Sequence, residues 1–484
     1  MEPATAFPLD FQTTQDSERS FFVNDSGFDL IVIGAGPAGY VAATRAAKLG
    51  MKVACIEKTA LGGTCLNVGC IPSKALLESS ELYARNKKGL KHHGISLGEV
   101  RFDLGPMMTR KEKIVQAMCK GIGTLFRGHK VEHVVGTARI AAGGKVEVEG
   151  ESGTRLLEGG KILIATGSAP VELRGLPFDG ERIISSTEAL SLAEVPGRLV
   201  VIGAGAIGLE MGSVWSRLGA EVLVIEYMEQ ILPGMDVEMT GQLQRLLKRQ
   251  GMSFQLGASA GGAEIEEGKV KLAVTAGDKE SVKECDRVLV AVGRKPHTEG
   301  LGLAEVGVEL DERGRIAVDG DFQTSVPSIY AVGDVIAGPM LAHKAEEEGV
   351  AAVEKMAGKG GHVNYDAIPG VVYTHPELAS VGLTEEAARE AFGEVSVGKY
   401  QFRGNARAHC MDEIDGLVKV LSHPQTDRLL GVHILGAQAS HLIAEAVMAM
   451  EFGGSAEDVA RTVHAHPALS EVVKEAAFAA IPDL

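Results

Sequence analysis

Phe28-Asp29-Leu30-Ile31-Val32-Ile33-Gly34-Ala35-Gly36-Pro37-Ala38-Gly39 carries a short apolar run directly into a glycine-rich turn, and an alanine-rich stretch ending near Gly50 follows. Such a run, stopped by a turn, reads as a strand buried on both faces of a parallel sheet. Gly34, Gly36 and Gly39 let the backbone approach a pyrophosphate, which the next helix binds through its free N–H groups and its dipole. Lys52 to Ile56 is the following strand. Glu57 stands at its end, 18 positions beyond Gly39, where a carboxylate accepts hydrogen bonds from ribose hydroxyls. A glycine turn alone is weak evidence; strand, helix and acid together predict the first turn of a dinucleotide-binding domain.

The same unit recurs. Leu199 to Ile202 leads into Gly203, Gly205 and Gly208, a helix runs through Leu218, and Glu221 to Ile225 forms a strand closed by Glu226 at the same spacing of 18. Two such units imply two nucleotide domains. A carboxylate at Glu226 pairs with a free ribose 2′-hydroxyl and repels a 2′-phosphate, which favours NAD over NADP in the second unit.

Directly after the first unit comes Gly62-Gly63-Thr64-Cys65-Leu66-Asn67-Val68-Gly69-Cys70-Ile71-Pro72-Ser73-Lys74. On a regular helix Cα atoms five residues apart are about 8 to 9 Å apart, whereas a disulfide needs about 4.4 to 6.8 Å. Cys65 and Cys70 can therefore bond only where the backbone leaves helix geometry. Gly69 and Pro72 supply means for that. Spacing by itself is equally compatible with two free thiols.

The full string GGTCLNVGCIPSK resembles the redox-active segment of the pyridine nucleotide-disulfide oxidoreductases, and within them the dihydrolipoamide dehydrogenase branch. The resemblance extends over residues 28 to 484. It implies FAD on the first unit, NAD on the second, and a redox disulfide between Cys65, nearer solvent, and Cys70, nearer the flavin. Thr64 and Lys74 would then lie at the flavin, with Lys74 paired to Glu210. NADPH-using relatives tend to place arginines after the second acidic strand; here the run is Tyr227-Met228-Glu229-Gln230, which strengthens the NAD reading.

Between the units, Arg110 to Phe126 reads as helix and Val131 to Gly150 as short strands. Lys161 to Ser168, with Thr166 and Gly167, resembles the family's crossover into the nucleotide domain, and Val288 to Pro296, through Gly293, its return. Thr324 to Asp334 resembles the second flavin fingerprint, with Asp334 at the FAD ribityl or ribose. Met340 is followed by Leu341, Ala342 and His343, similar to the family's flavin-lining turn. From about Ile368 the pattern changes to an α+β module that resembles the dimerisation domain. It has strands at Gly416 to Ser422 and Leu429 to Leu435, and helices around Ser440 to Phe452 and Ser455 to Val463. Its His464-Ala465-His466-Pro467-Ala468-Leu469-Ser470-Glu471 resembles the catalytic segment, with Ala468 where many members have Thr. A thiol attacks a disulfide only as thiolate, so a base is needed; the resemblance implies His466 for that role, oriented by Glu471, with His464 as the alternative.

The expected fold is α/β: two Rossmann-like dinucleotide-binding domains, for FAD and NAD, plus a C-terminal α+β dimerisation domain. Its expected divisions are an N-terminal extension (1–27), the FAD domain (28–168), the NAD domain (169–293), a return segment (294–367) and the dimerisation domain (368–484). The implied activity is oxidation of protein-bound dihydrolipoyl groups, through a homodimer serving a lipoylated acyltransferase or a glycine cleavage H-type protein. A chain of 484 residues with 61 glycines and 45% apolar residues suits this reading. A formal charge of −16 argues against nucleic acid and anionic membranes. Six cysteines form no disulfide framework; Cys55 falls in an expected strand, and Cys119, Cys285 and Cys410 are scattered without metal spacing, so inert thiols and no metal are expected. No apolar run is long enough to span a membrane. The first 26 residues include acids and lack an Arg-rich character, so a loosely ordered extension and a cytoplasmic location are expected.

Overall fold

The computed structural model describes residues 27–481. Apart from Gly27, the expected N-terminal extension lies outside the described residues. Phe28–Ile33 is the central strand of the first sheet. It pairs in parallel with Val53–Glu57 on one side, Ile31 opposite Ala54, and with the end of Gly153–Ile164 on the other, Ile31 opposite Ile162. Glu132–Val135 and Ile329–Ala331 complete the parallel set. Leu30, Ile31 and Val32 are fully buried, as a strand covered on both faces requires. Helix Pro37–Lys48 begins with proline, whose missing N–H costs nothing in a first turn. It packs against Ala342–Met356, and the approach is so close that a Cβ on Gly349 would lie 2.7 Å from the Ala38 carbonyl oxygen.

Two elements exceed their sequence expectation. The helix expected over Arg110 to Phe126 spans Leu104–His129, because the Asp103 carboxylate caps it by accepting the Gly105 N–H at 3.0 Å. The strand expected from Lys161 begins at Gly153, pairs antiparallel with Lys145–Gly150, then turns into the parallel sheet. Gly159 inside it is not a turn: a Cβ there would lie 2.8 Å from the Ile31 side chain.

Arg198–Ile202 centres the second sheet, parallel to Glu221–Ile225 and Arg287–Val290, with Ser253–Gln255 and Ile183–Ile184 at the edges. Three antiparallel strands that the sequence reading did not resolve, Ala258–Glu266, Lys269–Ala276 and Lys279–Cys285, lie against it. Val270, Leu272 and Val274 alternate into a core with Val200 and Ile202. The segments that cross between the two nucleotide units, Ser168–Pro170 and Arg294–Pro296, pair antiparallel with each other, so the chain leaves and returns at one place.

The third sheet is five-stranded and antiparallel, in the order Gly370–Val372, Glu377–Gly382, Leu429–Gly436, Leu417–Ser422, Ser396–Gln401. Helices Ala439–Glu451 and Glu471–Ala480 cover it. Lys419 locks this module to the second: its buried ammonium meets Asp236 at 2.8 Å, Glu385 at 2.5 Å and Glu238 at 3.3 Å. Among the described residues no helix is long and apolar enough to cross a membrane.

Candidate active site

A cavity of about 1200 Å³ runs between the two nucleotide units. Two helix N-termini open onto it, Pro37–Lys48 at Gly36 and Ala206–Arg217 at Gly205. Neither has a side-chain cap or an acid in its first turn, so their N–H groups are free for an anion. The turns before them exist because of glycine. Gly34 has φ +100° and Gly203 φ +101°, and a Cβ on either would lie within 2.5 Å of a carbonyl oxygen, Ala165 and Ala291 respectively. A Cβ on Gly63 would lie 2.6 Å from the Gly36 Cα, so the thiol-bearing helix is pressed onto the first phosphate-type turn. This bare backbone cradle fits a dinucleotide such as FAD. Gly39 and Gly208 do not line the cavity; a Cβ on them would lie 1.8 Å and 2.1 Å from the Gly34 and Gly203 carbonyl oxygens, so they serve helix-to-turn packing.

Both acids at the strand ends line the cavity and brace their turns. Glu57 accepts the Ala35 N–H at 2.9 Å through one oxygen, and the Thr59 N–H and hydroxyl at 2.9 and 3.0 Å through the other. Glu226 does the same, accepting Ala204 N–H at 2.7 Å and Met228 N–H at 2.9 Å. Glu57 Oε2 and both Glu226 oxygens retain acceptor capacity toward a ribose.

Cys65 lies on the short helix Gly63–Val68, and Cys70 opens a second helix, Cys70–Lys88. The break is at Gly69 alone, at φ −143° and ψ −115°. A side chain there would meet the Thr64 carbonyl oxygen at 2.8 Å and the Cys65 Cα at 3.2 Å. Pro72, expected to help distort a helix, instead sits in the first turn of the second helix, where its missing N–H is harmless. The two cysteines are free thiols in this structure, and the Cys65 thiol faces Cys70 as a potential donor. A hydrogen bond from Cys65 lowers the Cys70 thiol to about 7; burial opposes it, the Lys74 ammonium reinforces it, and Glu210 opposes it in turn. The Cys65 thiol is pushed far up by the same hydrogen bond and by burial. The first thiolate therefore forms on Cys70.

Lys74 pairs with Glu210 at 2.8 Å, and the other Glu210 oxygen accepts the Tyr373 N–H at 3.0 Å. The ammonium also sits 4.3 Å from the centre of the Tyr373 ring. Thr64, Thr166, Gly167, Gly293, Asp334, Leu341 and Ala342 line the cavity. His343 does not; it is exposed, with Nε2 2.8 Å from the Pro369 carbonyl oxygen.

His466 and Glu471 form a pair, Nδ1 to Oε1 at 2.8 Å, and Oε2 accepts the Ala468 N–H at 2.9 Å. The Ala468 N–H and then His466 hold the Glu471 carboxyl below its usual range. The His466 ring is 74% exposed, with Nε2 free to work. His464 differs: both of its ring nitrogens are engaged, by the Thr462 carbonyl oxygen and by Glu445, and its side chain is buried. Neither His466 nor Glu471 lines the cavity that holds their own chain's thiols.

Residues 28–349 match the pyridine nucleotide-disulphide oxidoreductases, and residues 368–477 match the dimerisation domain of that family. The chain belongs to the pyridine nucleotide-disulphide oxidoreductases. It is 51% identical to the mitochondrial dihydrolipoyl dehydrogenase of Pisum sativum, covering 95% of this chain and 93% of that one. It is equally 51% identical to the leghemoglobin reductase of Vigna unguiculata, over 96% and 89%. The crystal structure of LpdA from Mycobacterium tuberculosis superposes with a TM-score of 0.86 at 27% identity, over 93% of this chain and 99% of that one. The fold class expected from the sequence is thus the one found.

Several groups at this oxidoreductase site escaped the sequence reading. Arg294 donates from Nε to the Ser168 hydroxyl at 2.7 Å and from Nη2 to its carbonyl oxygen at 2.6 Å, and that hydroxyl donates to Asp334. Beneath the Gly333-Asp334 turn, Lys344 and Glu348 form a fully buried ion pair at 3.0 Å. Glu348 accepts the Gly333 N–H at 2.8 Å, and Lys344 donates to the Gly333 and Ala337 carbonyl oxygens at 3.2 Å each. The only sequence signal for that clamp was a Lys and a Glu four apart, which is ordinary on any helix surface.

Proposed function

We propose that the protein is a dihydrolipoamide dehydrogenase that passes electrons from protein-bound dihydrolipoyl groups to NAD+. The observation that carries this reading is the dithiol, with Cys65 and Cys70 on either side of the Gly69 break and both lining a cavity shared by two uncapped helix N-termini. FAD would be held by the Gly34 to Gly39 turn, Glu57, Thr64, Lys74, Thr166, Gly167, Asp334, Leu341 and Ala342. NAD would lie on the Gly203 to Gly208 turn with Glu210, Glu226 and Gly293. FAD, when bound, supplies the two-electron relay between the dithiol and the nicotinamide.

With Cys65 and Cys70 joined as a disulfide, a lipoyl thiolate bonds to the Cys65 sulfur and the S–S electron pair leaves on Cys70. The direction follows from the environment: the Lys74 ammonium beside Cys70 favours its thiolate, and the sulfur that better holds negative charge is the better leaving group. The second lipoyl sulfur then displaces Cys65, closing the lipoyl disulfide and leaving the cysteine pair two electrons richer. Of the two protons released, one ends on Cys65 and one on the base. His466 takes them in turn through Nε2, while Glu471 fixes the ring and stabilises its cation. Because His466 lies outside its own chain's cavity, we assign the base to His466 of the partner subunit in a homodimer.

A lipoylated acyltransferase or a glycine cleavage H-type carrier would deliver the substrate, and the −16 charge favours a partner with a basic docking face. The location proposed is the cytoplasm, whereas the pea relative is named as mitochondrial. The test is anaerobic titration of the purified yellow protein with dihydrolipoamide and, separately, with glutathione, followed by addition of NAD+. A long-wavelength thiolate-to-flavin absorption raised by dihydrolipoamide alone, and removed by NAD+, is expected. Reduction by glutathione instead would overturn the reading.

A further inference from the structure

A second constellation lies on the surface, away from the cavity. His92 and His93 stand on the single turn Lys91–His93, closed by Gly94 at φ +75°, and Asp412 ends helix Ala406–Met411 at φ +59°. His92 Nε2 is 2.9 Å from Asp412 Oδ2, and one ligand atom from each of the three residues lies within 4.8 Å of the others. The two imidazoles are 4.3 Å apart, ring centre to ring centre. Tetrahedral zinc bonds of about 2.0 to 2.2 Å place neighbouring ligand atoms about 3.3 to 3.6 Å apart, so small side-chain rotations suffice. Arg85 already ties the two backbones together. Its Nη2 donates to the Met411 carbonyl oxygen at 3.1 Å, and its Nη1 lies 3.7 Å from Glu413.

We propose that His92, His93 and Asp412 form a binding site for a divalent cation of the zinc type, which staples the end of helix Cys70–Lys88 to the C-terminal module. Two imidazoles and one carboxylate select Zn2+, Cu2+, Ni2+ or Co2+ over Mg2+ and Ca2+, which take oxygen ligands. All three residues are exposed, so water completes the coordination. The staple joins the helix that begins with Cys70 to the module that carries His466. None of the three residues lines the cavity, so the cation takes no part in electron transfer. The sequence expectation of no metal rested on cysteine spacing and could not see this site, whose ligands come from two distant segments.

The test is calorimetric titration of the flavin-loaded protein with ZnCl2, without reductant so that Cys65 and Cys70 stay oxidised, alongside the thermal midpoint with and without the metal. The wild type should bind one equivalent and melt at a higher temperature with it. His93→Ala and Asp412→Asn should each weaken that binding about tenfold or more and lose the thermal gain, with flavin content and basal turnover unchanged. Absence of binding in the wild type would overturn the proposal and leave a hydrogen-bonded surface His–Asp pair. Unchanged binding in both variants would equally overturn it, and would place the metal elsewhere.

Discussion

The ion pair between Lys74 and Glu210 offers a test in which two substitutions move one observable in opposite directions. The Cys70 thiol is held at about 7, first by the hydrogen bond from Cys65 and then by the Lys74 ammonium, with the Glu210 carboxylate working against them. In Lys74→Met the cation is gone and the buried Glu210 faces the thiol unpaired, so the Cys70 titration should move up by about 1 to 2 units, the usual effect of one nearby charge. At pH 7 about half of Cys70 is thiolate when its pKa is about 7, and about 3% when it is about 8.5. Thiolate, and the rate of any step that needs it, should fall about fifteenfold. Glu210→Gln keeps the shape and an acceptor for the Tyr373 N–H but frees the ammonium, so the midpoint should move down. The assay is the pH dependence of the long-wavelength thiolate-to-flavin absorption in the two-electron-reduced protein. A midpoint unmoved in both variants, or moved the same way in both, would refute the assignment of thiolate stabilisation to this pair.

Other outcomes follow from the geometry. Gly69→Ala should lower lipoamide turnover about tenfold or more while flavin content stays whole, because its Cβ drives Cys65 away from Cys70; wild-type turnover would contradict that. Glu226→Arg should raise the NADP to NAD ratio of kcat/KM by about 10- to 100-fold, or about 1.4 to 2.8 kcal/mol, and an unchanged ratio would move the nucleotide elsewhere. Glu348→Ala strands the Lys344 ammonium, which has 0% side-chain exposure. It should cost about 3 to 5 kcal/mol in urea denaturation, whereas a loss under about 1 kcal/mol would mean that the cation finds water. Mixing Cys65→Ser with His466→Ala, each inactive alone, should restore up to about a quarter of wild-type activity on subunit exchange. No recovery despite proven exchange would put both groups on one chain.

What the sequence determined by itself is what glycine and short-range geometry dictate. The two turns at Gly34 and Gly203 need a positive φ and a bare Cα, Glu57 and Glu226 stand where the next strand must end, and Cys65 and Cys70 can bond only where the backbone leaves helix geometry. These are local constraints, legible because a few neighbouring residues satisfy them. The tertiary structure decided the rest. It made Gly69 the break and set Pro72 in the first turn of the helix that Cys70 opens, because a second helix could pack there; and it locked His464 on Glu445 while leaving His466 open, a difference between two histidines with one residue between them. It also joined Arg294 to Ser168 and Asp334, and buried Lys344 with Glu348 under the same turn. Such groups are read only from their partners. Those partners arrive from strands and helices far off in the chain, so the side chains acquire their roles when the sheets assemble.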